Sequence, residues 1–376
     1  MPTSAAQGSR PTNLRRRVGR LAPIVVPVIA ALTLAASWGR KPGPIVVALV
    51  AIVLIAAVLA AVHHAEVVAH RVGEPFGSLV LAVAVTVIEV ALILTLMASG
   101  GPEAATLARD TVFAAVMITI NGILGLSMLV GAVKHGLILF NAEGTGAALA
   151  TLTALATLCL VLPNFTESRT GPEFSPSQLA FAAVASLALY GMFVSTQTVR
   201  HRDFFLPVAA DGGVLEPEEH ADPPTTRDAW ISVGLLILAL VSVVGLAKVE
   251  SPTIEAGVQS VGLPASFVGV VIALLVLAPE TLAAVRAAAR NRIQISLNLA
   301  LGSAMASIGL TIPAIAVASI WMDGPLLLGL GSTQIVLLML SVVVGVLTVV
   351  PGRATRLQGG VHLVLLAAFL FLSANP

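Results

Sequence analysis

The sequence predicts an all-α polytopic membrane protein of about eleven transmembrane helices, and three observations carry that prediction. Hydrophobic residues make up 57% of the 376-residue chain and charged residues only 10%, whereas about a quarter of an ordinary soluble domain is charged. The apolar residues fall in runs of spanning length, since about 20 helical residues cross a hydrocarbon core roughly 30 Å thick. Alternating polar and apolar residues are absent, so each span must satisfy its own backbone as a helix rather than as a barrel strand.

The runs are, in order, residues 21–37, 43–62, 75–98, 110–133, 147–163, 178–198, 229–247, 263–284, 294–319, 327–350 and 358–373. The first follows a tail, residues 1–20, ending in LRRRVGR, and imitates a secretion signal. It reads as an uncleaved helix, because cleavage would leave the next helix with few basic residues to orient it. Residues 21–62 hold the first two helices. Placing the N-terminus in the cytoplasm puts 15 of the 20 basic residues inside, leaving Arg40, Lys41, Arg109, Arg169 and Lys248 outside. The positive-inside rule therefore predicts a cytoplasmic N-terminus and an external C-terminus. Cys159 is the single cysteine and lies in an apolar run, which excludes an internal disulfide. Three lysines against seventeen arginines, with abundant alanine, suggest a GC-rich bacterial source and hence the plasma (inner) membrane. The bilayer is the expected partner, a homo-oligomer is compatible with this reading, and no nucleic acid partner or cofactor is expected.

The segment RHRDFFLPVAADGGVLEPEEHADPPTTRD, residues 200–228, breaks the hydrophobic rhythm with seven acids, proline and glycine. It reads as a solvated cytoplasmic linker over residues 199–228, a plain connection in preference to a cation antenna. Five helices then fall in residues 43–198 and five in residues 229–376, the first helix being extra. The third run carries Glu89 and the eighth Glu280, each thirteen residues after a phenylalanine, Phe76 and Phe267. The following helices share a pattern of hydroxyl, any residue, Asn, three residues, Gly, in Thr119–Gly125 and in Ser296–Gly302. An odd number of spans separates the pairs, so the five-helix repeats are predicted to be inverted. Secondary transporters built this way place substrate at the midplane, where the halves meet.

An ionisable residue in hydrocarbon costs at least about 2.5 kcal/mol on lenient scales, so it normally faces a cavity and has a use. A glutamate protonated and bonded to a neighbouring helix is the plain alternative. Two at matching places favour a cation site made of Glu89 and Glu280. Pro279 supplies no backbone donor and frees a carbonyl beside Glu280. Asn121 and Asn298 offer amide oxygens, and Thr86, Thr119 and Ser296 offer hydroxyls. Ser303, Ser307 and Thr311 recur every four residues as a polar stripe, which helix packing explains equally well. A hard cation such as Ca2+ takes six to eight oxygens of these kinds. Two neighbouring carboxylates also repel, so each can hold a proton when the metal is absent. Competition of proton and metal for the same oxygens is what exchange requires.

The stretches GEPFGSLVLAVAVTVIEV, Gly73 to Val90, and APETLAAVRAAARNRIQISLNLALGSAMASIGLTIP, Ala278 to Pro313, resemble the calcium/proton antiporters of the cation/calcium exchanger superfamily. The similarity is to the bacterial branch, which also exchanges sodium or potassium for protons. It implies two inverted five-helix repeats after an extra helix, alternating access, and Glu89 and Glu280 as a shared cation and proton site. It also implies Asn121 and Asn298 as polar ligands, with Gln294, Ser296, Gly302 and Ser303 lining the path. Related sodium/calcium exchangers carry a further acid where this sequence has amides, which favours proton over sodium as the coupling ion.

Glu74, before Pro75, reads as ordinary helix capping rather than a cation entrance. His63, Glu66 and His70 share one helical face and read as interfacial flanking, with metal pickup or pH sensing as the alternative. An intramembrane enzyme lacks support, since His-Glu-x-x-His, Gly-x-Ser-x-Gly and cysteine sets are all absent. A cation channel stays open as the rival reading, because carboxylate rings also select cations, and so does an Na+-selective Na+/H+ antiporter with little Ca2+ transport.

Overall fold

The computed structural model describes residues 13–40, 43–73, 76–99, 105–208, 224–322 and 324–376. Glu74 and most of the acidic linker lie outside the described residues. Eleven long helices occupy the rest, one for each predicted run: α1 Asn13–Ser37, α2 Pro44–Val72, α3 Phe76–Ser99, α4 Leu107–His135, α5 Ala142–Phe165 and α6 Pro176–Arg200. Beyond the linker come α7 Thr226–Ser260, α8 Phe267–Ala289, α9 Ile293–Ala318, α10 Ser332–Val349 and α11 Arg356–Ala374. Nine of these are long and apolar enough, among the described residues, to cross a membrane. The chain is therefore a multi-pass helical membrane protein.

Local sequence sets many of the helix ends. Ser175 and Gln178 form a reciprocal capping box at the start of α6, and Thr225 accepts from the Asp228 amide at the start of α7. Two helices outrun their apolar stretches. α2 continues through HHAEVVAHRV and α7 through KVESPTIEAGVQS, Pro252 included, because the two pack along each other; positive-φ glycines, Gly73 and Gly262, follow the two ends. The run from residue 327 instead begins as extended chain, where Leu327 bridges Glu173, and turns helical only at Ser332.

α1 is held against α2 and α7 by a bond that proline makes available. Pro27 has no N–H, so the carbonyl of Pro23, one turn earlier, lacks its helical donor. His64 of α2 donates to that oxygen from Nε2 at 2.9 Å, while its Nδ1 meets Ser232 Oγ of α7 at 3.3 Å. One buried imidazole thus joins three helices.

The contacts between the two sets of five helices are reciprocal. α2 pairs with α7 and α5 with α10; α3 crosses α9 as α4 crosses α8; α4 packs on α11 as α9 packs on α6. The connections repeat the relation. β1, Ile138–Leu139 after α4, pairs with β2, Arg353–Ala354 before α11. Leu327 after α9 pairs with Glu173 before α6. At the centre lie α4 and α9: 89% of the apolar stretch of α4 and 67% of that of α9 is buried, and no other candidate span exceeds 50%.

Candidate functional site

Phe76 and Phe267 are the first residues of α3 and α8. Glu89 and Glu280 therefore sit at the same depth in their own helices, about 20 Å from the start at 1.5 Å per residue. Both are buried, with 4% and 7% exposure. Their charges are near enough to interact with each other, and Glu280 also lies in range of Glu66.

Glu89 has a defined partner. The Ser307 hydroxyl of α9 donates to its Oε1 at 2.5 Å. The sequence showed Ser307 only as one member of a polar stripe. Ser307→Ala leaves that carboxylate oxygen without its donor, and we expect the cation concentration for half-maximal uptake in sealed vesicles to rise about tenfold, as for a hydrogen bond to a charged group. An unchanged value would mean that the hydroxyl merely packs.

Glu280 differs. Its Oε2 is buried without a hydrogen-bond partner among the described residues. Pro279 beside it leaves the carbonyl of Leu275 without the amide that would cap it inside α8. Two close approaches fix the level of α8 against α4. A Cβ on Gly269 would lie 2.8 Å from the backbone of Asp110 and Thr111, and one on Gly131 would lie 3.7 Å from the Ala288 carbonyl oxygen. Interpolating between them sets Glu280 beside the part of α4 around Asn121.

That part of α4 is π-helical, Ile118–Ile123. A π turn inside an α-helix leaves the ordinary hydrogen-bond ladder and commonly marks a functional position. Within it, the Thr119 hydroxyl is buried and has no hydrogen-bond partner among the described residues. Asn121 is turned to α10 and α11: its Nδ2 donates to Ser341 Oγ at 2.8 Å, and its Oδ1 faces His362 Nδ1 at 3.2 Å. His362 and Ser341 carried no sequence signal, since a histidine in a terminal span and a serine among valines fit no motif.

The repeated Asn pattern does not mark equal depths. Asn121 is fourteen residues past the first residue of α4, and its counterpart by depth in α9 is Ser307. Asn298 lies nine residues before Ser307, roughly 13 Å along the axis. There it donates to the Phe205 carbonyl at 2.6 Å and accepts from Gln294 Nε2 at 2.8 Å. Gln294 accepts in turn from the Asn141 amide at the start of α5, at 2.6 Å. The structure thus brings Asn298 and Gln294 together at one end of α9, away from Ser307 and Glu89. Ser296, near them, has a buried hydroxyl without a partner among the described residues. Thr86 is buried one turn before Glu89, and Gly302 and Ser303 are half-buried on α9. His63, Glu66 and His70 are exposed.

Nothing in the sequence marks the ionic cluster at the N-terminal end of α4. Arg109 pairs with the buried Asp110 at 2.8 Å and donates to the Gly329 carbonyl at 3.2 Å, while Thr106 donates to Asp110 at 2.9 Å. It ties α4 to the start of α10 much as Gln294 ties α9 to the start of α5.

Comparison with known proteins agrees with this architecture. A Sinorhizobium fredii protein, y4hA, is 45% identical over 358 residues, covering 94% of this chain and 95% of that one. The sodium-potassium/proton antiporter ChaA of Escherichia coli is 34% identical over 350 residues, covering 92% and 94%. The crystal structure of the H+/Ca2+ exchanger CAX shares the fold, with a TM-score of 0.71 at 14% identity over 96% of this chain and 93% of that one. The sodium/calcium exchanger protein family matches residues 42–199 and 231–375, on both sides of the linker. The chain belongs to that sodium/calcium exchanger protein family, whose members are membrane cation exchangers and not enzymes.

Proposed function

We propose that the chain is a cation/proton antiporter that exports Ca2+, or Na+ or K+, in exchange for H+ by alternating access. The observation that carries this reading is the pair of buried carboxylates, Glu89 and Glu280, at equal depth in their helices α3 and α8. Reciprocal packing of α2–α6 with α7–α11 supports the inverted-repeat reading, and the similarity to ChaA supports monovalent cations among the cargo. Among the described residues no three His, Cys, Asp or Glu side chains converge. A cation there would use the two carboxylates, the Ser307 and Thr119 hydroxyls, the Leu275 carbonyl and water, all oxygen donors suited to hard ions. Asn121 and Asn298 hold other partners in this conformation, so a coordinating role for either requires those bonds to open.

In the proposed cycle, the deprotonated pair takes one cation from the cytoplasm, the halves rearrange, and protons displace it on the far side. The arginine distribution supports a cytoplasmic N-terminus in a bacterial plasma membrane.

Proton coupling separates this reading from the channel. In sealed vesicles carrying the purified protein, an imposed pH gradient will drive Ca2+ or Na+ above its equilibrium level, and collapsing that gradient with a protonophore will release it. Cation movement that only follows its own gradient would establish a channel instead.

A further inference from the structure

His362 is fully buried in α11, and neither its position nor its chemistry is used by the exchange reading above. Its surroundings fix its hydrogen bonds. Ser341 donates its hydroxyl proton to the Leu337 carbonyl at 2.7 Å, so it meets Asn121 as an acceptor. The nitrogen of the Asn121 amide must then face Ser341, which leaves the amide oxygen facing His362. An oxygen there can only accept, so His362 Nδ1 carries the hydrogen. Its Nε2 is left to Thr348 Oγ1 at 3.2 Å. Two bonds from two helices therefore hold one carboxamide in one orientation.

The ring is held as firmly as the amide. A Cβ on Gly125 would lie 2.8 Å from His362 Cβ, and one on Gly359 would lie 2.6 Å from the Leu129 amide nitrogen. The backbones of α4 and α11 meet at these two glycines, which fixes the root of the His362 side chain against α4.

The two halves are unequal at this point. Ser307 reaches Glu89, whereas Asn121, at the same depth in the other half, points away and leaves Glu280 with an unpartnered oxygen. We infer that His362 is a positioning residue for the cation site: it keeps the Asn121 carboxamide on the α10–α11 side and withholds it from Glu280 until that bond opens. The inference rests on Glu280 belonging to the site. It gives α11, which carries no acid, a means of acting on cation binding.

The test is a double-mutant cycle on uptake by reconstituted full-length protein, with Ca2+ and with Na+ as separate probes. His362→Leu removes the donor, and the freed amide lowers KM about fivefold, the worth of one neutral hydrogen bond. In an Asn121→Ala background the same change leaves KM unaltered, because the amide through which it acts is gone. His362→Asn, whose amide nitrogen can take the place of Nδ1, restores the wild-type KM, while His362→Gln, which reaches instead to the Nε2 place, does not. Should His362→Leu fail to fold, Ser341→Ala removes the second bond on the same amide and lowers KM in the same Asn121-dependent way. Equal shifts with and without Asn121, or no shift in any of these variants, overturn the inference. Glu280→Gln run in parallel keeps the two readings apart: transport retained there removes the site itself, whereas transport lost there with an additive cycle removes only the role of His362.

Discussion

Replacing Glu280 by glutamine is expected to abolish proton-coupled cation uptake, and replacing Glu89 by glutamine to do the same. The change is nearly isosteric and removes a charge from a buried place, so the helices lose little by it. Function has no such latitude. An amide neither exchanges a proton at neutral pH nor balances a bound cation. Removing one partner of a buried charge pair costs about 3 kcal/mol or more, a loss of at least about a hundredfold in affinity. Equal depth in the two helices predicts equally severe defects. Uptake of Ca2+ and Na+ driven by a pH gradient, normalised to monodisperse protein, measures both variants. Coupled transport surviving in either one would refute the shared site.

Gly359→Val is expected to destabilise the bundle where the glutamate variants leave it intact. A Cβ at this position meets the Leu129 nitrogen at 2.6 Å, the Gly125 oxygen at 2.8 Å and the Leu129 Cα at 2.9 Å. All three are backbone atoms of the most buried helix, and none can turn aside as a side chain can. Overpacking of this kind costs about 1–3 kcal/mol where neighbours can yield, and more where they cannot. Cys159, the single cysteine and fully buried, supplies the readout, since a thiol-reactive dye labels it only on unfolding. Its labelling temperature should fall by several degrees or more in Gly359→Val. Gly302→Ala serves as the matched control, because nothing lies within 4 Å of a Cβ there. Equal labelling temperatures for the two would mean that α11 can move off α4 without cost.

These two experiments also separate what hydropathy encodes from what it does not. Every predicted apolar run corresponds to a helix, because in lipid a stretch of that length has no other way to satisfy its backbone. The burial of Glu89 and Glu280 was legible for a related reason: the cost of a charge in hydrocarbon makes each acid conspicuous. Polar residues that cost less are quieter. Asn121 stands out, but its partners Ser341 and His362 do not, and only the packing of α4 against α10 and α11 brings them together. The likeness between Thr119–Gly125 and Ser296–Gly302 suggested equal roles, yet register within a helix depends on where that helix begins. α9 starts only three residues before Ser296, and α4 starts twelve before Thr119. The π turn in α4 is invisible to composition for the same reason, being a property of the ladder rather than of any residue type.

The idle carbonyl that Pro27 leaves in α1 has its own consequence. In a bilayer two greasy helices have little to stop one rotating or sliding against the other, since tails of lipid wet both surfaces equally well. Shift α1 by a single residue and His64 would find an oxygen already engaged by its own helix. The proline thus acts as a keyway, giving an accessory helix one angular setting and one height in an otherwise slippery joint.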